Sequence, residues 1–339
     1  MIELKEGKII EFECELISPF HSTFREHRNL LRCAPYILGS TFRGSLAKYF
    51  IQQNCSEEKI EKLKRMEDIK NIRQFHLICK GKCPVKYFFT NQTQLLFSFG
   101  NFAEPNYIFP TRISLNRNDR SATEGVLVNL EAIATNTKFK FQIILLEDAL
   151  EIENEVKRAV EYIGLYVGIG RFKSIGFGRF KVNAIKEYTL NNFFKQVSKN
   201  YNFKEGIEKI KLKLKTPLVL DFYSKPSDLK LLGKIFSEML YTRTIELSRE
   251  IYKESIEKHE IKRVIAQIKT EFVSRFSLET NTRENRLVAW VDSAFQLETS
   301  EITDNFKFQL LLCSMFGIGE WSDWGFGRFD IVMRENNGK

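Results

Sequence analysis

Residues 168–180 read GIGRFKSIGFGRF, and residues 317–329 read GIGEWSDWGFGRF. The two stretches are identical at eight of thirteen positions and begin 149 residues apart in a chain of 339 residues. A helical pattern of apolar residues precedes each stretch, and a strand-like alternation follows it. We therefore expect two structural repeats, each closed by a glycine-rich loop.

The order of these patterns limits what the glycines can do. A dinucleotide-binding fingerprint needs its glycines after a strand and at the start of a helix, so that the helix N-terminus faces a pyrophosphate. Here the helix comes first, which excludes that fingerprint. Two interpretations remain: a tight turn that needs glycine, or a backbone that approaches a phosphate chain and donates exposed amides to it. The second interpretation predicts phosphate contacts by Gly168, Gly170, Arg171, Lys173, Arg179 and Arg328.

The composition indicates a globular and basic protein. Hydrophobic residues make up 43% of the chain and aromatic residues 13%, which is enough for buried cores and unlike a disordered protein. The net charge of +9 favours a polyanionic partner such as nucleic acid, although a general bias towards lysine gives the same surplus. Six irregularly spaced cysteines, no secretory signal and no bilayer-spanning apolar run predict a cytoplasmic protein without a membrane partner.

The succession of patterns predicts an α+β protein made of two tandem ferredoxin-like (RRM-like) domains. Each half of the chain alternates strand patterns with two helical patterns and ends in a glycine stretch. In the first half the middle strand patterns lie at residues 125–133 and 137–146, and in the second half at 271–278 and 286–298. We expect an N-terminal domain at 1–187, a C-terminal domain at 206–336 and a linker at 188–205.

The glycine stretches and a motif near the start of the chain carry a resemblance to a known family. Residues 36–46 read YILGSTFRGSL, and the glycine stretches fit the pattern G-x-G-x5-G-F-G-[RK]-[FY]. Together these motifs resemble the RAMP superfamily of CRISPR systems. Residues 215–218 (KTPL) and 274–277 (SRFS) resemble the C-terminal domain of one of its members, the CRISPR repeat-processing endoribonuclease.

The resemblance implies a metal-independent endoribonuclease that cuts precursor CRISPR RNA within its repeats, as part of antiviral defence. It implies attack by a ribose 2′-hydroxyl, which leaves a 2′,3′-cyclic phosphate and a 5′-hydroxyl without any catalytic cofactor. The alternative is a non-catalytic RAMP subunit that binds guide RNA inside a CRISPR effector complex. The expected partners are CRISPR repeat RNA and, for the alternative, other effector subunits, while a homodimer is left open.

Cleavage of this kind needs groups that transfer protons and cations that stabilise the charged transition state. In the family, the usual catalytic histidine lies at or near the first helix of the N-terminal domain. That helix contains no histidine here, which favours the non-catalytic alternative. His21 and His27 lie in the basic loop before it and are the first catalytic candidates, with polar loop residues as the alternative. Tyr36 and Lys48 are the next candidates.

Further RNA contacts are predicted outside the first glycine stretch. Arg43 lies in the N-terminal helix motif, and Arg275 and Arg283 lie near a strand of the second domain. The second glycine stretch carries acidic residues that repel phosphate, so we expect it to stack on bases through Trp321 or to pack between domains. Each of these residues has a core or inert surface position as its alternative.

A cluster of soft ligands predicts a structural zinc site. His76, Cys79 and Cys83 lie close together in the sequence, and Cys55 lies upstream. Tetrahedral zinc binds such cysteine and histidine sets. The spacing is loose, and free cysteines are commonly small buried hydrophobes. Some members of the resembled family have cysteines in this region, which adds support for the zinc.

Overall fold

The computed structural model describes residues 6–27, 30–56, 58, 84–89, 94–115, 122–200, 209–219, 229–251, 258–277, 282–320, 322 and 325–332. Only the backbone is described for 23–27, 89, 112–115, 122–128, 197–198, 200, 229–233, 248–251, 272–277 and 282–285. The chain forms two compact units. The N-terminal unit comprises Ile10–Glu187 with Phe276–Arg283, and the C-terminal unit comprises Met1–Ile9, Tyr188–Arg275 and Glu284–Lys339.

The first half of the chain is rich in strands. Its strands are β1 (Gly7–Leu16), β2 (Thr23–His27), β3 (Leu30–Cys33), β4 (Tyr36–Ile37), β5 (Leu95–Phe97), β6 (Gly100–Phe102), β7 (Tyr107–Ile108), β8 (Thr111–Leu115), β9 (Ala122–Leu130), β10 (Ala132–Ile133), β11 (Lys138–Leu146) and β12 (Phe180–Thr189). Its described helices are α1 (Gly39–Asn54), α2 (Lys86–Phe89) and α3 (Glu153–Tyr162). A 3-10 turn at Glu147–Ile152 precedes α3, and a π turn at Ile163–Val167 follows it.

The main sheet of this half has the strand order β12-β1-β11-β6-β4, with β5 also paired to β11. If β5 and β6 count as the second strand, the order along the sheet is fourth, first, third, second. Helix α1 follows the first strand and α3 follows the third. This is the β-α-β-β-α-β arrangement of a ferredoxin-like domain.

The packing of α1 on the sheet follows from the alternation of β1. Phe12 and its neighbours on the same face are fully buried, because alternate residues of a strand point to the same side. Phe12 stacks on Phe141 of β11 with ring centroids 4.9 Å apart, and Phe42 of α1 stacks on the same ring at 3.9 Å. On the other face, Glu13 pairs with Lys140 and Lys186.

The second half repeats this plan. Its described helices are α4 (Leu190–Asn200), α5 (Leu229–Ile251) and α6 (Asp304–Phe316). Its described strands are β13 (Lys209–Leu214), β14 (Leu218–Val219), β15 (Ile261–Gln267), β16 (Thr270–Ser277), β17 (Thr282–Ala289), β18 (Ala294–Thr299) and β19 (Phe329–Val332). The sheet order β15-β18-β13-β19 reads second, third, first, fourth. The prediction of tandem ferredoxin-like domains is therefore confirmed.

Two predicted strands lie outside the ferredoxin-like sheets. The pattern at 125–133 falls mainly on β9, which belongs to the sheet β2-β3-β9-β8, whereas β5 and β6 form the second strand. The pattern at 271–278 falls on β16 of the sheet β14-β17-β16, whereas β15 forms the second strand. Every residue of β5 is buried, so that strand lacks the alternation by which a half-buried strand is recognised.

The segment predicted as a linker, 188–205, contains helix α4. Phe194 on this helix packs against Phe308 of α6, with ring centroids 5.3 Å apart, and adjoins the C-terminal core. The amphipathic face of α4 therefore has an apolar surface to cover. Among the residues that the structure describes, none of the helices combines the length and apolarity needed to cross a bilayer.

Candidate functional site

The first glycine loop, residues 168–180, is pinned to the segment that follows β1. Within the loop, the Ile169 amide donates to the Gly178 carbonyl at 3.0 Å. The Gly178 amide donates to the Pro19 carbonyl at 2.7 Å. The Arg179 amide donates to the Ser18 hydroxyl oxygen at 2.8 Å. These bonds fix the loop against the N-terminal sheet.

The second glycine loop is held by an equivalent set of bonds. The Gly327 amide donates to the Pro217 carbonyl at 2.8 Å, and the Arg328 amide donates to the Thr216 hydroxyl oxygen at 2.8 Å. The repeat therefore includes Ser18-Pro19 and Thr216-Pro217 as well as the glycines. The signal was present in the sequence, where Leu-x-Ser/Thr-Pro ends β1 at 16–19 and β13 at 214–217.

The glycines permit two stretches of backbone to pass very close to each other. Gly178 has φ +73°, and a Cβ added there would lie 1.9 Å from the Ile169 carbonyl oxygen. Gly327 has φ +72°, and a Cβ there would lie 2.0 Å from the Ile318 carbonyl oxygen. The interpretation as a turn that requires glycine accounts for both positions.

The amides of the first loop are mostly committed to acceptors inside the protein. Gly168 donates to the Ile163 carbonyl at 2.7 Å, and Arg171 donates to the His21 carbonyl at 2.9 Å. The amides of residues 169 and 175–179 also bond within the protein. The hypothesis that exposed amides hold phosphate is therefore wrong for these residues. These amides are therefore not available to an anion, which leaves the side chains and the remaining amides of the loop as its ligands.

His21 lies under the loop and is buried, with an exposed fraction of 0%. Its Nδ1 lies 2.7 Å from the Glu131 carbonyl oxygen, and its ring faces Phe172 with centroids 5.5 Å apart. Burial lowers the pKa of His21, and the charge of Arg171 adds to this, although the bond to Glu131 opposes it. The imidazole is covered in this structure and packs beneath the loop, so its position does not favour catalysis by His21, which stays a prediction.

Phe172 links His21 to the charged part of the loop. Its φ of +64° is unusual for a bulky side chain, which indicates local strain that the surrounding contacts must offset. The Arg171 guanidinium lies 5.0 Å from the Phe172 ring centroid, and the Phe177 ring lies 6.1 Å away. Phe172 occupies a variable position of the repeated stretch, so no sequence pattern singled it out.

The loop brings cations together with helix α1. Burial lowers the pKa of Lys173, and the positive charge of Lys48 on α1 lowers it further. Lys48, Arg171 and Arg179 are all exposed. The structure thus brings two predicted site residues from distant parts of the chain, Lys48 and Lys173, into electrostatic range of each other.

Two predicted site residues near α1 have internal roles. Tyr36 is buried and meets Phe99 edge-on at 5.1 Å, and burial raises its pKa well above the usual range. Arg43 donates from Nη2 to the Phe88 carbonyl at 2.6 Å and so ties α1 to the segment 84–89. The burial of Tyr36 does not favour its predicted catalytic role, and the bond of Arg43 gives that side chain a partner within the protein.

Other predicted site residues fall partly or wholly outside the described residues. His27, Arg275 and Arg283 lie on β2, β16 and β17 with only their backbones described, and Trp321 lies outside the described part. Arg328 is half-buried, and burial lowers its pKa to about 10, which still leaves it charged at neutral pH.

The predicted zinc ligands stay largely untested. His76, Cys79 and Cys83 lie outside the described residues, and Cys55 is half-buried just after α1. Within the described ranges, no three His, Cys, Asp or Glu side chains are grouped closely enough to hold a metal. The structural zinc therefore remains a prediction.

A comparison with protein families matches residues 13–181 to the model of the RAMP superfamily. Over this half of its length, the chain belongs to the RAMP superfamily. The matched residues include α1, α3 and the whole first glycine loop. No curated protein matches the chain significantly.

Solved structures similar to this RAMP chain have low sequence identity to it. A Cas6-related protein from Pyrococcus furiosus is 12% identical, with 97% of this chain and 100% of that chain covered and a TM-score of 0.40. A RAMP protein described as binding different RNA substrates is 12% identical, with 96% and 100% covered and a TM-score of 0.39. A chain of the Type III-B Cmr-beta assembly bound to cognate target RNA is 15% identical, with a TM-score of 0.36. The similarity covers 54% of this chain and 61% of that chain.

Proposed function

We propose that this RAMP protein binds CRISPR repeat RNA, and that the cations beside its first glycine loop hold the RNA phosphates. The observation that carries the proposal is the position of Lys173 on the loop, where burial lowers its pKa and the charge of Lys48 on α1 lowers it further. Like charges placed together repel each other in the free protein. A phosphate between them offsets that repulsion, so the pair is suited to a polyanion.

The rigid attachment of the loop supports the same function. Because backbone bonds to Pro19 and His21 fix the loop, Arg171 and Lys173 start from a defined backbone position before any RNA arrives. Preorganised cations bind a charged ligand with a smaller ordering cost than flexible ones. The net charge of +9 supplies long-range attraction to the same ligand.

The finer candidate is the metal-independent endoribonuclease that cuts within the repeat and leaves a 2′,3′-cyclic phosphate and a 5′-hydroxyl. Lys48 and Lys173 satisfy the need for cations at the scissile phosphate. His21 and Tyr36 are buried, which leaves His27 as the remaining candidate for proton transfer. The burial of these two groups favours the second candidate function, a RAMP subunit that binds guide RNA in an effector complex without cutting it.

The deciding experiment incubates the purified chain with end-labelled repeat RNA in EDTA. Cutting at one site, with a cyclic phosphate on the upstream product, supports the enzyme. Tight binding without cutting supports the subunit. If the chain neither binds nor cuts the repeat RNA, the proposed function is overturned.

The contribution of the loop is tested with the double variant Lys48→Gln/Lys173→Gln. Losing two phosphate contacts to single-stranded RNA should reduce the slope of log affinity against log salt by about 1.4. The matched control is Lys138→Gln/Lys181→Gln, which removes the same charge from exposed positions on β11 and β12. Equal changes in the two double variants would show that net charge, and not the loop, determines binding.

A further inference from the structure

Three tyrosines form a continuous row on the helical side of the N-terminal unit. Tyr49 lies on α1, Tyr162 ends α3 and Tyr166 lies in the π turn that leads to the first glycine loop. Ring centroids are 5.2 Å apart for Tyr49 and Tyr162, and 5.1 Å apart for Tyr162 and Tyr166. Tyr162 is 44% exposed and Tyr166 is 66% exposed, whereas Tyr49 is half-buried and anchors the row.

The local backbone explains why this row faces outward. Residues four apart on a helix share a face, which aligns Tyr162 with Tyr166. Gly164 lies against β12, since a Cβ there would come within 2.6 Å of the Phe180 carbonyl oxygen. One side of the turn is therefore packed on the sheet, and the tyrosines lie away from it. π turns inside helices are often found at functional sites.

Positive charges lie beside the row. Lys48 precedes Tyr49 on α1 and lies within electrostatic range of Lys173 on the loop. Arg158 lies one helical turn before Tyr162 and is also exposed. Glu161 is an exposed carboxylate next to Tyr162 in the chain, so the charges near the row are mixed. Rings interleaved with cations suit a single-stranded nucleic acid, in which bases alternate with phosphates.

We propose that Tyr162 and Tyr166 form a stacking platform for unpaired bases of an RNA whose phosphates lie on Lys48 and Lys173. The proposal rests on the proposed function and specifies the part of the RNA that this surface contacts. Stacking on a ring tolerates every base, so the platform selects unpaired RNA and not a sequence. A protein partner is a weaker fit, because Leu165 is the one aliphatic side chain exposed among the described residues of α3 and its π turn, and cations flank the row.

The test compares single-stranded repeat RNA with the same RNA annealed to its complement, by fluorescence anisotropy on the full chain. Tyr166→Ala should weaken binding of the single strand about tenfold and leave the duplex unchanged, since paired bases cannot stack on the ring. Tyr166→Phe keeps the ring and should bind like the unmodified chain. Phe109→Ala is the matched control, because Phe109 is a 60% exposed aromatic residue outside the row. Thermal melts of Tyr166→Ala should match the unmodified chain because this side chain is mostly exposed.

Two results separate this proposal from the function on which it rests. If Tyr162→Ala/Tyr166→Ala binds the single strand like the unmodified chain while Lys48→Gln/Lys173→Gln does not, the platform is overturned and the proposed function stands. If the unmodified chain binds neither RNA, both are overturned. An equal loss for single strand and duplex, or unchanged RNA binding with an altered oligomeric state, also overturns the platform.

Discussion

Gly178 shows how strictly a single position of the glycine loop is determined. Its φ of +73° is costly for any residue with a Cβ, and that Cβ would overlap the Ile169 carbonyl at 1.9 Å. The Ile169 amide also donates to the Gly178 carbonyl, so the two backbones cannot separate without losing a hydrogen bond. The positive φ and the lack of space for a Cβ therefore each exclude other residues at position 178.

The loop glycines provide a graded test of this account. Gly178→Ala should destabilise the protein by about 3 kcal/mol or more, since backbone strain of about 1–2 kcal/mol adds to the overlap. Gly176→Ala should cost about 1–2 kcal/mol, because Gly176 has φ +94° but nothing lies within 4 Å of an added Cβ. Gly44→Ala on α1 also meets nothing within 4 Å and should stabilise by about 0.5–1 kcal/mol. Urea unfolding followed by circular dichroism measures all three, and equal losses at positions 178 and 176 would contradict the close approach.

For single residues, the sequence indicated which residue types matter more clearly than it indicated the tertiary contacts around them. The need for glycine at the loop positions followed from the repeated stretch, whereas the roles of Lys48 and Lys173 remain predictions from charge. The burial of His21 was not expected, because it lies among arginines in the sequence, where a histidine is usually solvated. Its burial depends on Glu131, which is 110 residues away along the chain, and no local pattern contains that contact.

Among the elements, the short segments Ser18-Pro19 and Thr216-Pro217 connect each first strand to its glycine loop. Each segment accepts a backbone bond at its proline and supplies a hydroxyl to the arginine amide of the loop. The ferredoxin-like topology places the end of the first strand next to the start of the fourth, because these strands are neighbours in the sheet. The attachment of each loop therefore depends on the fold, which brings the strands together, and on two residues, the Ser or Thr and the Pro that follow the first strand.

These two hydroxyls should differ in what their removal costs. Thr216 is 1% exposed, so Thr216→Val leaves the Arg328 amide without a partner in a dry site and should destabilise by about 1–3 kcal/mol. Ser18 is half-buried, so water can replace its hydroxyl and Ser18→Ala should cost about 0.5–1 kcal/mol. Ser174→Ala, at an exposed position of the first loop, is the control and should change stability by less than about 0.5 kcal/mol. Thermal unfolding checks the order, and a larger loss for Ser18→Ala would refute it.

Element assignment from the sequence succeeded where alternation marked a half-buried strand. β13 alternates strictly between buried and exposed residues, and β1 alternates between buried and half-buried residues from Ile10 to Leu16. The pattern at 125–133 is also a strand, but its sheet depends on pairing with β8 and β3, which alternation does not specify. Local pattern thus predicts that a strand exists, whereas its partners are set by tertiary contacts.

For the whole molecule, the duplicated plan was predictable because two halves with one pattern must bury the same kind of face. The positive net charge was also evident from the sequence, whereas the positions of the charged side chains in the fold were not. Among the described side chains, burial lowers the pKa of a histidine in each unit: His21 in the N-terminal unit and His259 in the C-terminal unit. His259 stacks on Phe306 with ring centroids 3.8 Å apart.

These two histidines predict how the stability of the whole chain depends on pH. A histidine has a pKa of about 6.5 when unfolded, and both folded values lie lower, so only the unfolded state takes up protons as the pH first falls below that value. The contribution of these two histidines to the free energy of unfolding should therefore be constant above about pH 7 and should decrease from about pH 6.5 downwards. Lys140 and Lys186 lower the pKa of Glu13 to about 2, so its contribution is present above about pH 5 and is lost progressively as the pH falls from there to about 2.

Urea unfolding at pH 7.5 and pH 5.0 isolates the histidines from that carboxylate. The difference in unfolding free energy between the two conditions should shrink in His21→Gln and in His259→Gln, and it should shrink most in the double variant. Glu13→Gln is the control, because it should alter stability without altering this difference. If the double variant keeps the full difference, burial does not lower the pKa of either histidine, and His21 is solvated enough to return as a proton-transfer candidate.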